Sequence, residues 1–386
     1  MAGIYIHIPF CRSRCIYCGF YSTTGLELRQ RYVDALCKEM MIRGEKLEVS
    51  GERIDIETIY FGGGTPSQLT IPQLNQLLIY INKVYSLTSH HSPLTSTEIT
   101  IEVNPDDVTP EYATAIKQLG VNRVSMGAQT FDNRRLRFLN RRHTAEQVSV
   151  AVKILRQAGI QNISIDLMYG FPDETLEDLD ADITQALALD VEHISSYCLM
   201  YEEGTPLYRL LEEGKVSETD EELERQMYYH LIDRLEAAGY EHYEISNFAR
   251  PSFRSRHNSS YWNLTPYIGL GAAAHSFDGK AYRRWNISDI RQYIEGIENG
   301  QPRFEEELLD ENTRYNDMLT VALRTNEGLD LNKLSDYYRN YCIREAQHYI
   351  NDGLLQLSPK GHLHLTRIGL FVSDMIISDL MLIEDV

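Results

Sequence analysis

The sequence predicts an α/β fold in which six β-α units curl into a partial (β/α)6 barrel, followed by a C-terminal helical, winged-helix-like domain. Three observations carry this. β-rich runs alternate with amphipathic helical patterns through the first half, as a parallel sheet with crossover helices requires. A Pro/Gly turn flanked by period-two apolar pairs marks one hairpin among the helices of the last part. A tight cysteine group follows the first strand-like run, which puts it on the rim where such barrels carry their chemistry.

The elements follow in order. Strands are expected at 4–9, 56–61, 98–103, 122–127, 162–168 and 192–199. Leu74, Leu77, Leu78 and Ile81 repeat at i, i+3, i+4, i+7 and form one helix face. Thr144 and Gln147 form a capping box for a helix through Val148, Val152 and Leu155 that stops at Gly159. Thr219 and Glu222 open another, ending at Gly239. Residues 89–97 read as a surface loop. Near 305 the character changes: a helical run from Tyr315 to Leu323 leads to Leu355-x-Leu357, the turn Ser358 to Gly361, and Leu363-x-Leu365. The expected division is 1–304 for the barrel and its extension and 305–386 for the winged-helix-like domain.

With 386 residues, 43% apolar and 24% charged, the composition is that of a globular protein with ample core. The net charge of -19 argues against a nucleic-acid backbone or an anionic membrane as main partner. No apolar run approaches the ~20 residues that span a bilayer, and residues 1–10 lack a secretory signal's layout, so a cytoplasmic location is expected.

The cysteines are Cys11, Cys15 and Cys18 in one cluster, with Cys37, Cys198 and Cys342 scattered. In a reducing compartment a tight group reads as metal-binding, and scattered cysteines as small buried apolar residues. Three thiolates at this spacing can hold three irons of a [4Fe-4S] cluster and leave the fourth open for S-adenosylmethionine (SAM). Zinc is the rival, but it normally takes two separated ligand pairs and only one compact triplet is present. Strand two runs into Gly62-Gly63-Gly64-Thr65-Pro66, where the backbone can approach a ligand and offer N–H groups. A phosphate loop would need a terminal Lys-Ser/Thr, which is absent, and a plain tight turn is the bland alternative. Glu102, Gln129 and Asp166 fall near the ends of later strands and Arg141 lies beyond Gln129. A carboxylate can hold a ribose hydroxyl or an ammonium, and an arginine a carboxylate. Taken singly, each is more often a satisfied structural residue; as a set on one rim they gain weight.

Tyr5 to Cys11, the triplet, Gly62 to Pro66, Ser125 to Gln129 and Ile165 to Pro172 resemble the radical SAM group that contains oxygen-independent coproporphyrinogen III oxidase. The resemblance implies Cys11, Cys15 and Cys18 as cluster ligands and Tyr5 as a neighbour of SAM. It also implies Gly63, Gly64, Thr65, Glu102, Gln129, Arg141 and Asp166 as residues lining one or more SAM sites. Two features depart from the oxidase: Phe20 stands where it has a second cysteine after glycine, and only ten residues precede Cys11. Both are similar to the HemW-type haem chaperones, as are His257-Asn258-Ser259-Ser260-Tyr261-Trp262 and Tyr243 to Ala249.

A histidine nitrogen is a common axial ligand of haem iron and aromatic rings pack on flat macrocycles, so His257 is the candidate haem residue; a satisfied histidine beside two core aromatics is the alternative. His275, at a glycine-rich strand end, is a weaker one. The resemblance implies haem as cargo, delivery to recipient haem proteins, and peripheral contact with membrane haem proteins as compatible. A cluster at an exposed rim could stabilise a homodimer, though nothing in the residues demands one, and a DNA-binding use of the C-terminal wing is hard to reconcile with the net charge of -19. The runner-up is an enzyme, the oxidative decarboxylation of coproporphyrinogen III, for which Arg134, Arg135, Arg137, Arg141 and Arg142 would meet propionates.

Overall fold

In a computed structural model, described here for residues 2–50, 55–85 and 97–383, six parallel strands follow one another through the first half. They are β1 (Ala2–Ile8), β2 (Ile56–Gly63), β3 (Glu98–Val103), β4 (Arg123–Gln129), β5 (Asn162–Tyr169) and β6 (His193–Cys198), each paired in parallel with the next. Each expected strand is present, with ends shifted by a residue or two. Of the loop expected at 89–97, all but Thr97 lies outside the described residues.

The strands are covered on both faces but apolar on only one: the face under the helices is Ile/Val/Met-rich, while the alternate positions carry buried polar side chains such as His7, Thr58, Thr100, Arg123, Ser164 and His193. In β1, Ile4, Ile6 and Ile8 are fully buried, and each such side chain contributes ~1.5–3 kcal/mol relative to exposure. The helix Ile71–Tyr85 buries Leu74, Leu77 and Ile81, the face its spacing predicts. Thr144 and Gln147 form the expected capping box of the helix Ala145–Gln157. At the helix Glu221–Ala237 the expected cap is off by one: Asp220 caps it through the backbone N–H of Glu222 and Leu223. The Thr219 hydroxyl instead donates to the carbonyl of Phe171.

The sheet extends beyond the six strands on both sides. β7 (Glu241–Glu244) and β8 (Asn247–Ala249) add antiparallel strands next to β6. On the other side β9 (Tyr267–Leu270) runs parallel to β1, followed by antiparallel β10 (His275–Phe277), β11 (Tyr282–Asn286) and β12 (Phe304–Leu308). The order β12-β11-β10-β9-β1-β2-β3-β4-β5-β6-β8-β7 is linear, so the barrel stays open. β12 straddles the division expected at 304/305.

Glu39, 1% exposed on the helix Arg29–Ser50, fastens this flank to the barrel. It accepts from Gly271 N (2.9 Å), Asn286 Nδ2 (2.8 Å) and Tyr293 OH (2.7 Å), with the Arg43 guanidinium at 3.6 Å.

The last part has its own core around Tyr315, Leu319, Cys342, Tyr349 and Ile376. Helices Glu311–Ala322, Asp336–Asn351 and Ser373–Leu380 pack with a three-stranded sheet of β13 (Leu329–Asp330), β14 (Leu355–Leu357) and β15 (His362–Leu365). The expected hairpin is β14–β15, in register Leu355 to Leu365 and Leu357 to Leu363. This gives the helical, wing-bearing C-terminal part. No helix among the described residues is long and apolar enough to cross a membrane.

Candidate functional site

At the C-terminal ends of β1–β6 lies a cavity of about 590 Å³, inside the range of small-molecule sites. Its lining holds Cys11, Cys15 and Cys18 on the loop after β1, and Tyr5 on the strand itself. Gly63, Gly64, Thr65, Glu102, Gln129, Arg141 and Asp166 join them from later strand ends. The structure therefore brings every one of these sequence-derived candidates to one wall. His257 is elsewhere.

Each side chain is placed by its element. Thr65, 7% exposed, donates to Cys11 Sγ at 3.5 Å. Arg141 donates from Nη1 to Cys15 Sγ (3.5 Å) and from Nη2 to Asn104 Oδ1 (2.8 Å) and the Gly127 carbonyl (2.6 Å). Donors aimed at sulfur favour the thiolate form, while burial pushes the free Cys11 and Cys18 thiols up. Among the described residues no three His, Cys, Asp or Glu side chains converge on a point where one ion would sit. A four-iron cluster needs no such convergence, because each thiolate takes a different iron. The donor set fits that group.

Glu102 and Asp166 face the cavity from β3 and β5. Glu102 accepts from Tyr60 OH (2.9 Å) and Gly63 N (3.0 Å), and burial, reinforced by the nearby Asp166, pushes it up to about 7. Asp166 is pushed up to about 6 by burial, against hydrogen bonds from Ser195 and Ser125 and the charges of Arg123 and Arg141. Arg123, 1% exposed, leaves Nε and Nη1 without hydrogen-bond partners and acts on both carboxylates through its field. Raised carboxylates in a cleft beside unpaired donors mark a functional region. They leave spare acceptors for an ammonium or a ribose diol, and buried Arg141 Nε has no partner. These residues fit SAM.

The glycine loop does not act as expected. Gly63 N donates to Glu102 and Gly64 N to the Ile8 carbonyl, so these two amides are used within the protein. What the glycines supply is space. A Cβ on Gly63, at φ +112°, would lie 2.5 Å from the His7 ring, and one on Gly64 2.7 Å from the Pro9 carbonyl carbon. Gln129, at φ 67°, sits in the left-handed region beside a bulge after Gly127, which re-aims the end of β4.

Sequence reasoning missed Asn104, Ser125, Tyr197 and Cys198, all of which line the cavity. Asn104 directly follows β3 and Cys198 ends β6, so strand-end position was the usable signal. Phe20 and Met200, 71% and 65% exposed, also belong to its lining.

His257 is 1% exposed, in the short helix Arg256–Trp262. Its Nδ1 pairs with Thr58 Oγ1 (2.8 Å) and its Nε2 with Tyr261 OH (2.9 Å), while its ring stacks on Tyr60 and Tyr5. Burial and the Arg123 charge push it down to about 3. In this arrangement both ring nitrogens are occupied, which matches the satisfied-histidine alternative. The arginine run is split. Arg141 and Arg142 line the cavity, Arg142 paired there with Asp106 and Asp107, whereas Arg135 is buried against Glu174 and Asp178 and Arg134 and Arg137 point to solvent.

A family model described as the Radical SAM superfamily matches residues 5–186. A Bacillus subtilis (strain 168) protein named Heme chaperone HemW is 34% identical over 376 residues, covering 97% of this chain and 95% of that protein. The Escherichia coli (strain K12) protein of the same name is 31% identical over 300 residues, covering 76% of each. Among solved structures, coproporphyrinogen III oxidase (HemN) from Escherichia coli aligns with a TM-score of 0.83 at 22% identity, over 98% of this chain and 90% of that one. That likeness concerns the fold.

Proposed function

The chain belongs to the radical SAM superfamily and, within it, to the family of the Heme chaperone HemW proteins, and from that premise we propose that it binds haem and delivers it to recipient haem proteins. The observation that carries this is the similarity to proteins of that name along 97% of the chain. The pairing of the arginines argues in the same direction, although Arg141 and Arg142 line the cavity. A tetrapropionate substrate would want a shared basic pocket, and Arg135 and Arg142 are instead spent on carboxylates.

In this reading Cys11, Cys15 and Cys18 hold the cluster at the cavity wall. A [4Fe-4S] centre with one open iron, when bound, coordinates SAM and supplies the electron for its cleavage. Arg141 and Thr65 steady the ligand sulfurs by hydrogen bonds. Glu102 and Asp166 take the ammonium and ribose hydroxyls, Gln129 and Asn104 fix orientation, and Tyr5 forms the floor. We place the boundary between the two parts after β12, at Leu309–Asp310, where the large sheet ends.

The test is anaerobic titration of the cluster-reconstituted chain with haem, followed by transfer to an apo haem protein. Saturable one-to-one binding and transfer are expected. Absence of binding together with conversion of coproporphyrinogen III to protoporphyrinogen IX would replace this reading with the oxidase. Ligation by His257 would require release of Thr58 and Tyr261, so His257→Ala tests whether that rearrangement occurs.

A further inference from the structure

The flank β9–β12 carries a feature that the cavity chemistry does not use. β10 pairs with β11 so that His275 stands opposite Trp285 and Phe277 opposite Arg283, and Phe277 also pairs with Tyr267 of β9. His275 and Phe277 therefore share one face of the sheet, about 7 Å apart along the strand. His275 is exposed, and its ring stacks on Trp285 at 5.8 Å and 22°. Trp285 is held in turn by Nε1–H donating to Glu305 Oε2 at 3.1 Å. Among the described residues the His275 ring makes no hydrogen bond, in contrast to His257 and His193, whose nitrogens are both engaged.

Beside Phe277, two residues along the strand from His275, lies a second cavity of about 440 Å³ between the flank and the helix Glu311–Ala322; His275 and Trp285 stand outside its lining. Leu264, Phe277, Leu309 and Met318 give it apolar walls, and the exposed Lys280 and Arg314 stand at its margin. Its Asp317 is paired with Arg283, which neutralises the one carboxylate in the lining. An imidazole with open nitrogens, a stacked indole behind it, an adjoining apolar hollow and two cations match an iron porphyrin with two propionates.

We propose that His275 is an axial ligand of haem iron, with the macrocycle lying over Phe277 into this hollow and the propionates directed to Lys280 and Arg314. The inference rests on the haem-binding reading above and moves the ligand from His257 to the open sheet face. Glu305 and Glu307 lie on the β12 side of the same face, so the propionates turn the other way.

The experiment titrates the full-length, cluster-reconstituted chain with ferric haem and records absorption and electron paramagnetic resonance. Wild type, His275→Ala, His275→Met, His257→Ala and the double variant Lys280→Glu/Arg314→Glu are compared. Expected for His275→Ala is binding weakened at least about tenfold, loss of the imidazole-ligated spectrum, and its return on adding imidazole, with the cluster signal unchanged. His275→Met, which keeps a side chain of similar reach, is expected to bind haem with a thioether-ligated spectrum, a change that a structural role would not produce. The double charge variant should weaken binding without altering the ligand spectrum. If wild type binds and both His275 variants give its affinity and spectrum, the site is overturned and the chaperone reading stands. If wild type binds no haem, both fall.

Discussion

Two carboxylates, Glu39 buried at a joint and Glu102 partly open to the cavity, show how differently this protein treats its interior. Glu39 holds the flank to the barrel and receives three hydrogen bonds and a guanidinium, so little of its accepting capacity is left. Glu102 sits at the end of β3 with two donors, opens onto the cavity, and is pushed up to about 7 by burial. Both are costly to bury, but only the first is fully compensated within the protein. Incomplete satisfaction marks the binding wall, and complete satisfaction marks the joint.

The largest expected effect concerns the wall itself. Cys15→Ala should remove the visible absorption of the reconstituted cluster entirely, because three thiolates are the minimum for this centre. Retained absorption with normal iron content would mean that the wall is built for something else. Next, Glu39→Ala should destabilise the chain by about 3–5 kcal/mol, since Arg43, Tyr293 and two amide donors lose their acceptor. A chemical-denaturation shift under about 1 kcal/mol would break the contrast between the two carboxylates.

Glu102→Gln sharpens the same contrast through pH. A carboxylate that titrates near 7 when folded and near 4.5 in the free side chain binds more protons folded than unfolded in that window. Wild-type stability therefore falls as pH rises from about 4.5 to 7, is fully reduced above 7, and is unaffected below 4.5. Glutamine does not titrate, so the variant should gain on wild type, in the cofactor-free protein, by on the order of 2 kcal/mol between pH 5 and pH 8. An equal pH slope in both proteins would show that Glu102 ionises freely. The smallest effect belongs to Phe20→Ser. At 71% exposure Phe20 adds little to the core, so thermal unfolding should move by no more than about 0.5 kcal/mol equivalent and the cluster should load normally.

The six barrel strands and the hairpin were legible because each is a short β-rich run with regularly spaced apolar residues between turn signals. The flank was not. β10 has three residues and β9 four, and the pairing of β9 with β1 joins residues over 260 positions apart, for which local periodicity carries no signal. The cavity wall was readable from strand-end positions, which is why Glu102, Gln129 and Asp166 were found. Residue types read without geometry were less informative. The arginine run divides, because the short helix Asn133–Phe138 turns Arg135 inward and Arg134 and Arg137 outward while Arg141 and Arg142 reach the cavity. For His257, nothing in the sequence shows that Thr58 and Tyr261 pair with its nitrogens.

The position of β1 in the middle of the sheet also has a consequence for biosynthesis. β2 follows it closely in the chain, but its other edge is closed only by β9. At roughly 5–20 residues per second, a ribosome needs on the order of 10–50 s to pass from one to the other. Through that interval the strand leading into the cysteine loop keeps a row of unpaired amides and carbonyls exposed. The nascent chain thus passes through a stage with its three thiols already made and one side of their supporting strand still uncovered, when aggregation through that edge competes with closure of the sheet.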